Sequence, residues 1–132
     1  MILAIRTEDN MTRLWLLESS DRDVAKPALE WESGRQLADG LLVKITETLR
    51  DSGLDLRDLS GFIVFSGPGS FTSLRIVHSV ANALADSLGV PVVGAMGENW
   101  LEDGLKKLAQ TPPGWPALPH YGAEANITKP KT

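Results

Sequence analysis

The stretch from Ser60 to Gly94 restricts the fold of this 132-residue chain more than any other part of its sequence. It begins with an unbroken apolar run, Phe62 to Phe65, which is typical of a strand buried on both faces. A Gly-Pro-Gly turn at 67–69 interrupts regular structure, and apolar residues then recur at helical spacing from Leu74 to Leu88. Gly89 ends the helix, and a second apolar run follows it. Such a crossover joins parallel strands with a right-handed turn, so the sequence predicts an α/β fold.

The rest of the chain is assigned by the same reasoning. Two apolar runs separated by a polar turn predict a hairpin. A third strand containing Pro27 is predicted either to lie at a sheet edge or to carry an irregularity, because proline lacks a ladder donor. Leucines and isoleucines every four residues predict a helix that Ser33 caps and Gly53 terminates. The predicted strands span 2–7, 13–18, 24–31, 62–65 and 90–93, and the predicted helices span 33–52, 70–88 and 96–110.

Composition excludes several classes of function. The net charge of −4 argues against an independent nucleic-acid-binding protein, which would be basic. The absence of cysteine excludes disulfides and thiolate chemistry, and no apolar run approaches the roughly 20 residues of a membrane helix. The N-terminus lacks the features of a secretory signal, so we expect a cytoplasmic protein without a membrane role.

A change of composition at Thr111 predicts two parts, a domain at 1–110 and a proline-rich extended tail at 111–132. Aromatic and aliphatic residues in the tail argue against pure disorder. We expect the tail to run extended over its own domain or a neighbouring one, anchored by Trp115 and Tyr121.

Few residues are candidates for chemistry. The turn at 67–70 precedes a helix N-terminus and offers N–H groups to an anion, although a structural turn is the favoured interpretation because a P-loop lysine is missing. Arg75 either meets an acidic group of a partner or pairs locally. His78 is interpreted as an interface or surface residue, since no acid or nucleophile is presented beside it. No spacing suggests a metal site, so we predict no catalytic residue, metal or cofactor.

The segment Gly67-Pro68-Gly69-Ser70-Phe71-Thr72-Ser73-Leu74-Arg75-Ile76 resembles the signature of the TsaB (YeaZ) family, and the first seven residues resemble that family's opening strand. The resemblance implies the ribonuclease H-like half of the actin-like (Hsp70-like) ATPase fold, a mixed five-stranded sheet flanked by about three helices. It also implies a supporting, non-catalytic role in making N6-threonylcarbamoyladenosine on transfer RNA, beside a TsaD partner that holds the catalytic metal and nucleotide.

The sequence departs from the family pattern in three respects. Arg6 stands where the family has an aspartate, and Ser73, Val77 and Ala83 stand where the signature helix has glycine. The second domain expected by resemblance is missing, while the last residues resemble the segment that closes full-length members. We therefore expect an internal deletion that leaves a half-size version of the family.

The helices at 34–51 and 70–88 are predicted to form an interface with another polypeptide. Ser79, Ala83 and Ser87 recur every four residues and form a ridge of small side chains, which lets another helix approach closely; a semi-exposed face of small residues is the simpler alternative. By resemblance the partner is a second copy or a TsaD-like protein, with a TsaE-like ATPase as a further member. The predicted interface residues are Leu37, Leu41, Ile45, Ser73, Arg75, Ile76, His78, Ser79, Ala83 and Ser87.

Two other hypotheses remain open. One is a residual ATP-binding or phosphotransfer enzyme that uses Glu8, Asp9 and the turn at 67–70. Acidic residues in a hairpin turn are more often solvated turn formers, which argues against it. The other is a homodimer that has left the pathway.

Overall fold

The computed structural model describes residues 1–8, 10–18 and 26–119. Five strands form one mixed sheet in the order β3-β2-β1-β4-β5, with three α-helices. The strands are β1 (Ile2–Glu8), β2 (Met11–Leu17), β3 (Leu29–Glu32), β4 (Gly61–Phe65) and β5 (Val92–Ala95). The helices are α1 (Leu37–Asp51), α2 (Phe71–Leu88) and α3 (Trp100–Leu108), and short 3₁₀ turns lie at Gly34–Gln36 and Leu56–Asp58.

The sheet has an antiparallel half and a parallel half. β1 pairs with β2, and β2 with β3, in antiparallel register, whereas β1, β4 and β5 are parallel to one another. The β4-α2-β5 crossover predicted from the sequence is therefore confirmed. β4 lies inside the sheet with its side chains buried on both faces, which explains its unbroken apolar run.

The helices cover both faces of the sheet and divide the core in two. α1 and α2 pack on one face, where Leu3, Ile5, Phe62 and Val64 meet apolar side chains of both helices. On the other face α3 packs against a second cluster that includes Trp15, Ile63 and Phe65. Trp100 of α3 makes edge-to-face contacts with Trp15 and Phe65, with ring centroids 5.2 and 5.6 Å apart. Gly104 permits this close approach, because a β-carbon there would lie 2.4 Å from Cγ2 of Ile63.

Several predicted boundaries are corrected by the structure. The third strand is shorter than predicted and lies at the sheet edge as expected, after Pro27; the predicted start at Val24 falls outside the described residues. β5 begins at Val92 because the N–H of Val90 still donates to the helical carbonyl of Ala85. α3 is shorter at both ends than the predicted 96–110. In the described part of the chain, no helix is long and apolar enough to cross a membrane.

Helix capping follows the sequence at α2 and departs from it at α1. The Ser70 hydroxyl accepts the N–H of Ser73, and Gly89 closes α2 in the left-handed conformation at φ 71°. Ser33 does not cap α1, which starts from a 3₁₀ turn instead. Its hydroxyl lies 2.7 Å from that of Thr12 and donates to the carbonyl of Asn10, so Ser33 ties the helix entrance to the hairpin.

The predicted tail is described as far as Pro119 and has a different anchor from the expected one. Ala117 is buried against the α2 side of the core, whereas Trp115 is 67% exposed. The side-chain amide of Asn82 donates to the carbonyl of Ala117 and accepts its N–H, each at 2.9 Å. The side-chain amide of Asn82 thus makes the same two hydrogen bonds to the Ala117 backbone that a neighbouring strand would make. Tyr121, the other expected anchor, lies outside the described residues.

Candidate functional site

The outward surface of α1 and α2, called here the α1–α2 face, carries half of the ten predicted interface residues: Arg75, Ile76, Ser79, Ala83 and Ser87. The two helices pack side by side on one side of the sheet. A shallow groove of about 410 Å³ follows the seam between them, and its lining consists of small, aliphatic and hydroxyl side chains with one arginine: Ala38, Thr72, Arg75, Ile76, Ser79 and Val80.

Large apolar side chains are exposed on both helices. Leu42, Val43 and Phe71 retain 45%, 52% and 53% of their accessible surface. The guanidinium carbon of Arg75 lies 5.4 Å from the centre of the Phe71 ring, one helical turn away. Arg75 thus pairs locally with Phe71 and remains exposed. Local pairing therefore does not prevent Arg75 from meeting an acidic group of a partner.

The ridge of small residues on α2 faces outward. Ser79, Ala83 and Ser87 are exposed, and Ile76 is half-buried in the lining of the groove. Ser73 is also half-buried, but it lines a different cleft, between the turn at 67–70 and the end of β1. Ridges of this kind let a second helix approach closely because no long side chain holds the backbones apart. The α2 members of the predicted set therefore lie on one accessible surface, with the exceptions of Ser73 and His78.

Three predicted residues of α1 are corrected. Leu37, Leu41 and Ile45 are fully buried against the sheet in the chain's own core and are unavailable to a partner. Their four-residue spacing is that of the apolar stripe of an amphipathic helix, and here the chain's own sheet covers that stripe. The exposed apolar residues of α1 are Leu42 and Val43, and the signal that identifies them is that they lie off that stripe.

His78 is also corrected from a surface position to a buried one. Its Nδ1 lies 2.7 Å from the carbonyl of Leu74 and its Nε2 lies 3.2 Å from the hydroxyl of Ser66, at the end of β4. Burial lowers the pKa of His78 below its usual 6.5, and the hydrogen bond to the Leu74 carbonyl opposes this only in part. The imidazole is therefore neutral at pH 7, with Nδ1–H donating to Leu74 and Nε2 accepting from Ser66. Val77 is buried as well, so its replacement of a family glycine alters the core and not the outer surface.

The signature turn joins β4 to α2 and presents its residues to solvent. Gly67 has φ 108°, a conformation that favours glycine, and it precedes a cis peptide bond to Pro68. Pro68, Gly69, Ser70, Phe71 and Thr72 are exposed. Since Ser70 already accepts the N–H of Ser73, the turn serves as the N-terminal cap of α2.

A small cleft of about 300 Å³ separates the signature turn from the end of β1, where the rival enzyme hypothesis places its chemistry. Glu8 Oε1 lies 3.4 Å from Arg6 Nη2 and 3.5 Å from Arg13 Nη1. The Arg6 guanidinium also stacks over the Phe65 ring, 4.0 Å from its centre. Arg6 and Arg13 thus neutralise the Glu8 carboxylate. Asp9, the other acidic residue of the enzyme hypothesis, lies outside the described residues. Across the described ranges, no group of three or more histidine, aspartate or glutamate residues is arranged to hold a metal.

Comparison with known proteins supports the resemblance seen in the sequence. Residues 32–96 match the model of the family described as "TsaD: tRNA N6-adenosine threonylcarbamoyltransferase". The chain is 39% identical over 62 residues to a tRNA N6-adenosine threonylcarbamoyltransferase of Syntrophus aciditrophicus, covering 47% of this chain and 18% of the relative. It is 36% identical over 53 residues to the tRNA threonylcarbamoyladenosine biosynthesis protein TsaB of Buchnera aphidicola, covering 40% of this chain and 24% of the relative.

Among solved structures, the chain resembles YeaZ from Pseudomonas aeruginosa with a TM-score of 0.60 and 27% identity, over 72% of this chain and 43% of YeaZ. The matched part is less than half of the length of each of these three proteins. The predicted resemblance to TsaB (YeaZ) is confirmed, and so is the fold: the ribonuclease H-like half of the actin-like architecture, with a mixed five-stranded sheet and three helices.

Proposed function

We propose that this TsaB (YeaZ)-like chain is a non-catalytic subunit in the N6-threonylcarbamoyladenosine modification of transfer RNA. It acts in the cytoplasm by docking the α1–α2 face onto a second copy of itself or onto a TsaD-like protein. The observation that carries the proposal is that Leu42, Val43 and Phe71 are exposed on α1 and α2 and that the small-residue ridge of α2 is exposed as well. The description of the matching family model and the names of the Syntrophus and Buchnera relatives concern this one modification, which supports the pathway.

The dimensions of the α1–α2 face suit a protein–protein contact. α2 has 18 residues and α1 has 15, and at 1.5 Å per residue the longer helix is about 27 Å long. Two adjacent helices of this length offer a surface of the order of the roughly 800 Å² that each partner contributes to a standard interface. Two such pairs form a four-helix contact in which the Ser79, Ala83 and Ser87 ridge sets the closest approach.

Charge explains why a partner is needed for the RNA. The chain has a net charge of −4 and so does not supply the cationic surface that phosphates require. A TsaD-like partner, with a TsaE-like ATPase as a further member, then provides the RNA contacts and the nucleotide chemistry. The role of this chain is protein–protein recognition.

The test combines co-purification with a TsaD-like protein from the same genome and sedimentation of the chain alone. Ala83→Arg places a long cation on the ridge at an exposed position, so the fold is retained while close approach is blocked. We expect at least a tenfold loss of association. Glu102→Arg, which adds the same side chain to the exposed side of α3 across the sheet, is the matched control and should leave association unchanged.

The possible outcomes of this test distinguish between the hypotheses for the chain's function. Loss of both assemblies in Ala83→Arg alone supports the proposal. Self-association that depends on Ala83 without any capture of the TsaD-like protein supports a homodimer that has left the pathway. A wild-type chain that neither self-associates nor captures the TsaD-like protein refutes the docking role.

The second candidate is a residual enzyme, which the match to the transferase family model favours. In the described part of the chain, the residues that this hypothesis uses lie around the cleft between Glu8 and the signature turn. The pairing of Glu8 with Arg6 and Arg13 argues against metal-assisted phosphate chemistry there, because a cation already occupies the position that a metal would take.

A further inference from the structure

A second concave site lies at the far end of the two helices, near their C-termini and remote from the signature turn. It has a volume of about 580 Å³, within the range of small-molecule sites. Leu49 is fully buried, and Leu54, Leu56 and Leu88 are partly buried around it. These four leucines make an apolar interior, and Thr46, Arg50, Asp55 and Arg57 form the rest of its lining.

The wall that closes this leucine pocket is held in place by hydrogen bonds. The Asp55 carboxylate accepts the N–H of Arg57 at 2.8 Å, and the Asp58 carboxylate accepts the N–H of Asp55 at 2.9 Å. The N–H of Leu54 donates to the carbonyl of Leu49 at 2.8 Å, which fixes the loop to the end of α1. The pocket is therefore pre-formed, so a ligand would not bear the cost of ordering the loop.

The polar groups around the pocket donate hydrogen bonds and carry positive charge. Arg50 is exposed, and among the described residues no ion pair involves it. Arg57 is paired only with Asp55, at 3.6 Å, and its side chain is largely exposed. The carbonyls of Leu49 and Arg50 already accept N–H groups of residues 52–54, and the Thr46 hydroxyl donates to the carbonyl of Val43. Asp55 is the one acid, and its two oxygens face the backbone and guanidinium of Arg57.

We propose that this pocket binds a small amphiphilic anion, a molecule with an apolar body and a carboxylate end. The leucines enclose the apolar body, and the guanidinium groups of Arg50 and Arg57 bind the anionic end. The proposal is independent of the function proposed above, because it concerns a small ligand and not the docking of a polypeptide.

The experiment titrates the 132-residue chain with decanoate below its micelle-forming concentration. Decanol is the uncharged comparison, and amide chemical shifts are followed by NMR. We expect saturable shifts centred on Leu54, Leu56 and Leu88, with decanoate binding more tightly than decanol. Arg50→Gln and Arg57→Gln should each weaken decanoate binding roughly two- to fivefold, as expected for exposed ion pairs, and leave decanol binding unchanged.

Two further variants make the result specific to the pocket. Arg35→Gln removes an exposed arginine at the opposite end of α1 and should bind decanoate as the parent does. Thr46→Phe fills the pocket from α1 and should abolish binding of both probes. The proposal is overturned if no saturable shifts appear around the pocket, or if the Arg50 and Arg57 variants bind decanoate as tightly as the parent. Either failure leaves the co-purification result for the α1–α2 face unaffected.

Discussion

At the scale of single residues, the Ser66–His78 pair shows how burial decides a side chain's role. Both side chains are buried, and the imidazole links the end of β4 to the first turns of α2 through Ser66 and Leu74. Gly94 on the adjacent strand leaves room for them, since a β-carbon there would lie within 2 Å of the Ser66 hydroxyl oxygen. The pair joins the signature turn to the sheet, so its role is structural support for the α1–α2 face.

The lowered pKa of His78 predicts that stability depends on pH. Below about pH 6.5 the unfolded chain takes up a proton that the buried imidazole resists, so the free energy of unfolding falls as the pH is lowered. We expect denaturant midpoints between pH 7 and pH 5 to fall less steeply in His78→Gln than in the parent. Comparing the two chains cancels carboxylate titration, and equal slopes would contradict the prediction.

At the scale of elements, the segment after α3 depends on one side chain of α2. The two hydrogen bonds from Asn82 satisfy both backbone polar groups of the buried Ala117. Trp115 and Leu118 on either side are exposed, so apolar contact by these large side chains contributes little to holding the segment. Asn82 therefore holds the Ala117 end of the segment against the domain, while Thr111 at its start is bonded to the carbonyls of Lys107 and Leu108.

Asn82→Ala should release this segment. The loss leaves the N–H and carbonyl of Ala117 without partners, which costs about 1–3 kcal/mol if the segment stays in place and favours its release. Hydrogen exchange at the Ala117 amide should accelerate, with little change at the β4 amides. Asn82→Asp keeps an acceptor for the Ala117 N–H and should show an intermediate effect. Unchanged exchange in Asn82→Ala would show that other contacts hold the segment.

At the scale of the whole molecule, the sheet and its three helices form a framework with two unlike ends. One end of β1 meets the signature turn, where Arg6, Glu8 and Arg13 interact, and the C-terminal ends of α1 and α2 form the leucine pocket. The seam between α1 and α2 runs between these two places. Leu42, Val43 and Phe71 are exposed on the helices of the α1–α2 face, whereas Met96, Trp115 and Leu118 are exposed outside the helices.

Calorimetric titration with Mg-ATP separates the subunit from the residual enzyme. We expect no binding at micromolar concentration, because Glu8 is paired with two arginines and Arg6 replaces the acid that the actin-like fold uses near this strand end. Glu8→Gln should therefore behave as the parent does. Micromolar binding that Glu8→Gln or Asp9→Asn weakens would favour the enzyme instead.

Local sequence pattern was sufficient for most of the elements and for the β4-α2-β5 crossover. The apolar run of β4, the Gly-Pro-Gly turn, the Ser70 cap and the Gly89 terminus are each determined by nearby residues, so the crossover could be predicted. The resemblance at 67–76 supplied the strand order, which periodicity alone did not.

Tertiary structure decided which side chains remain accessible. A four-residue repeat on α1 shows that Leu37, Leu41 and Ile45 share a face, but the chain's own sheet covers that face and leaves Leu42 and Val43 outside. His78 is polar and still lies inside, because Ser66 and Leu74 satisfy its ring nitrogens. Asn82 and Ala117 are 35 residues apart, so no local pattern indicates their contact. Secondary structure arises from neighbours along the chain, whereas burial depends on which distant surfaces meet, and only the folded chain determines that.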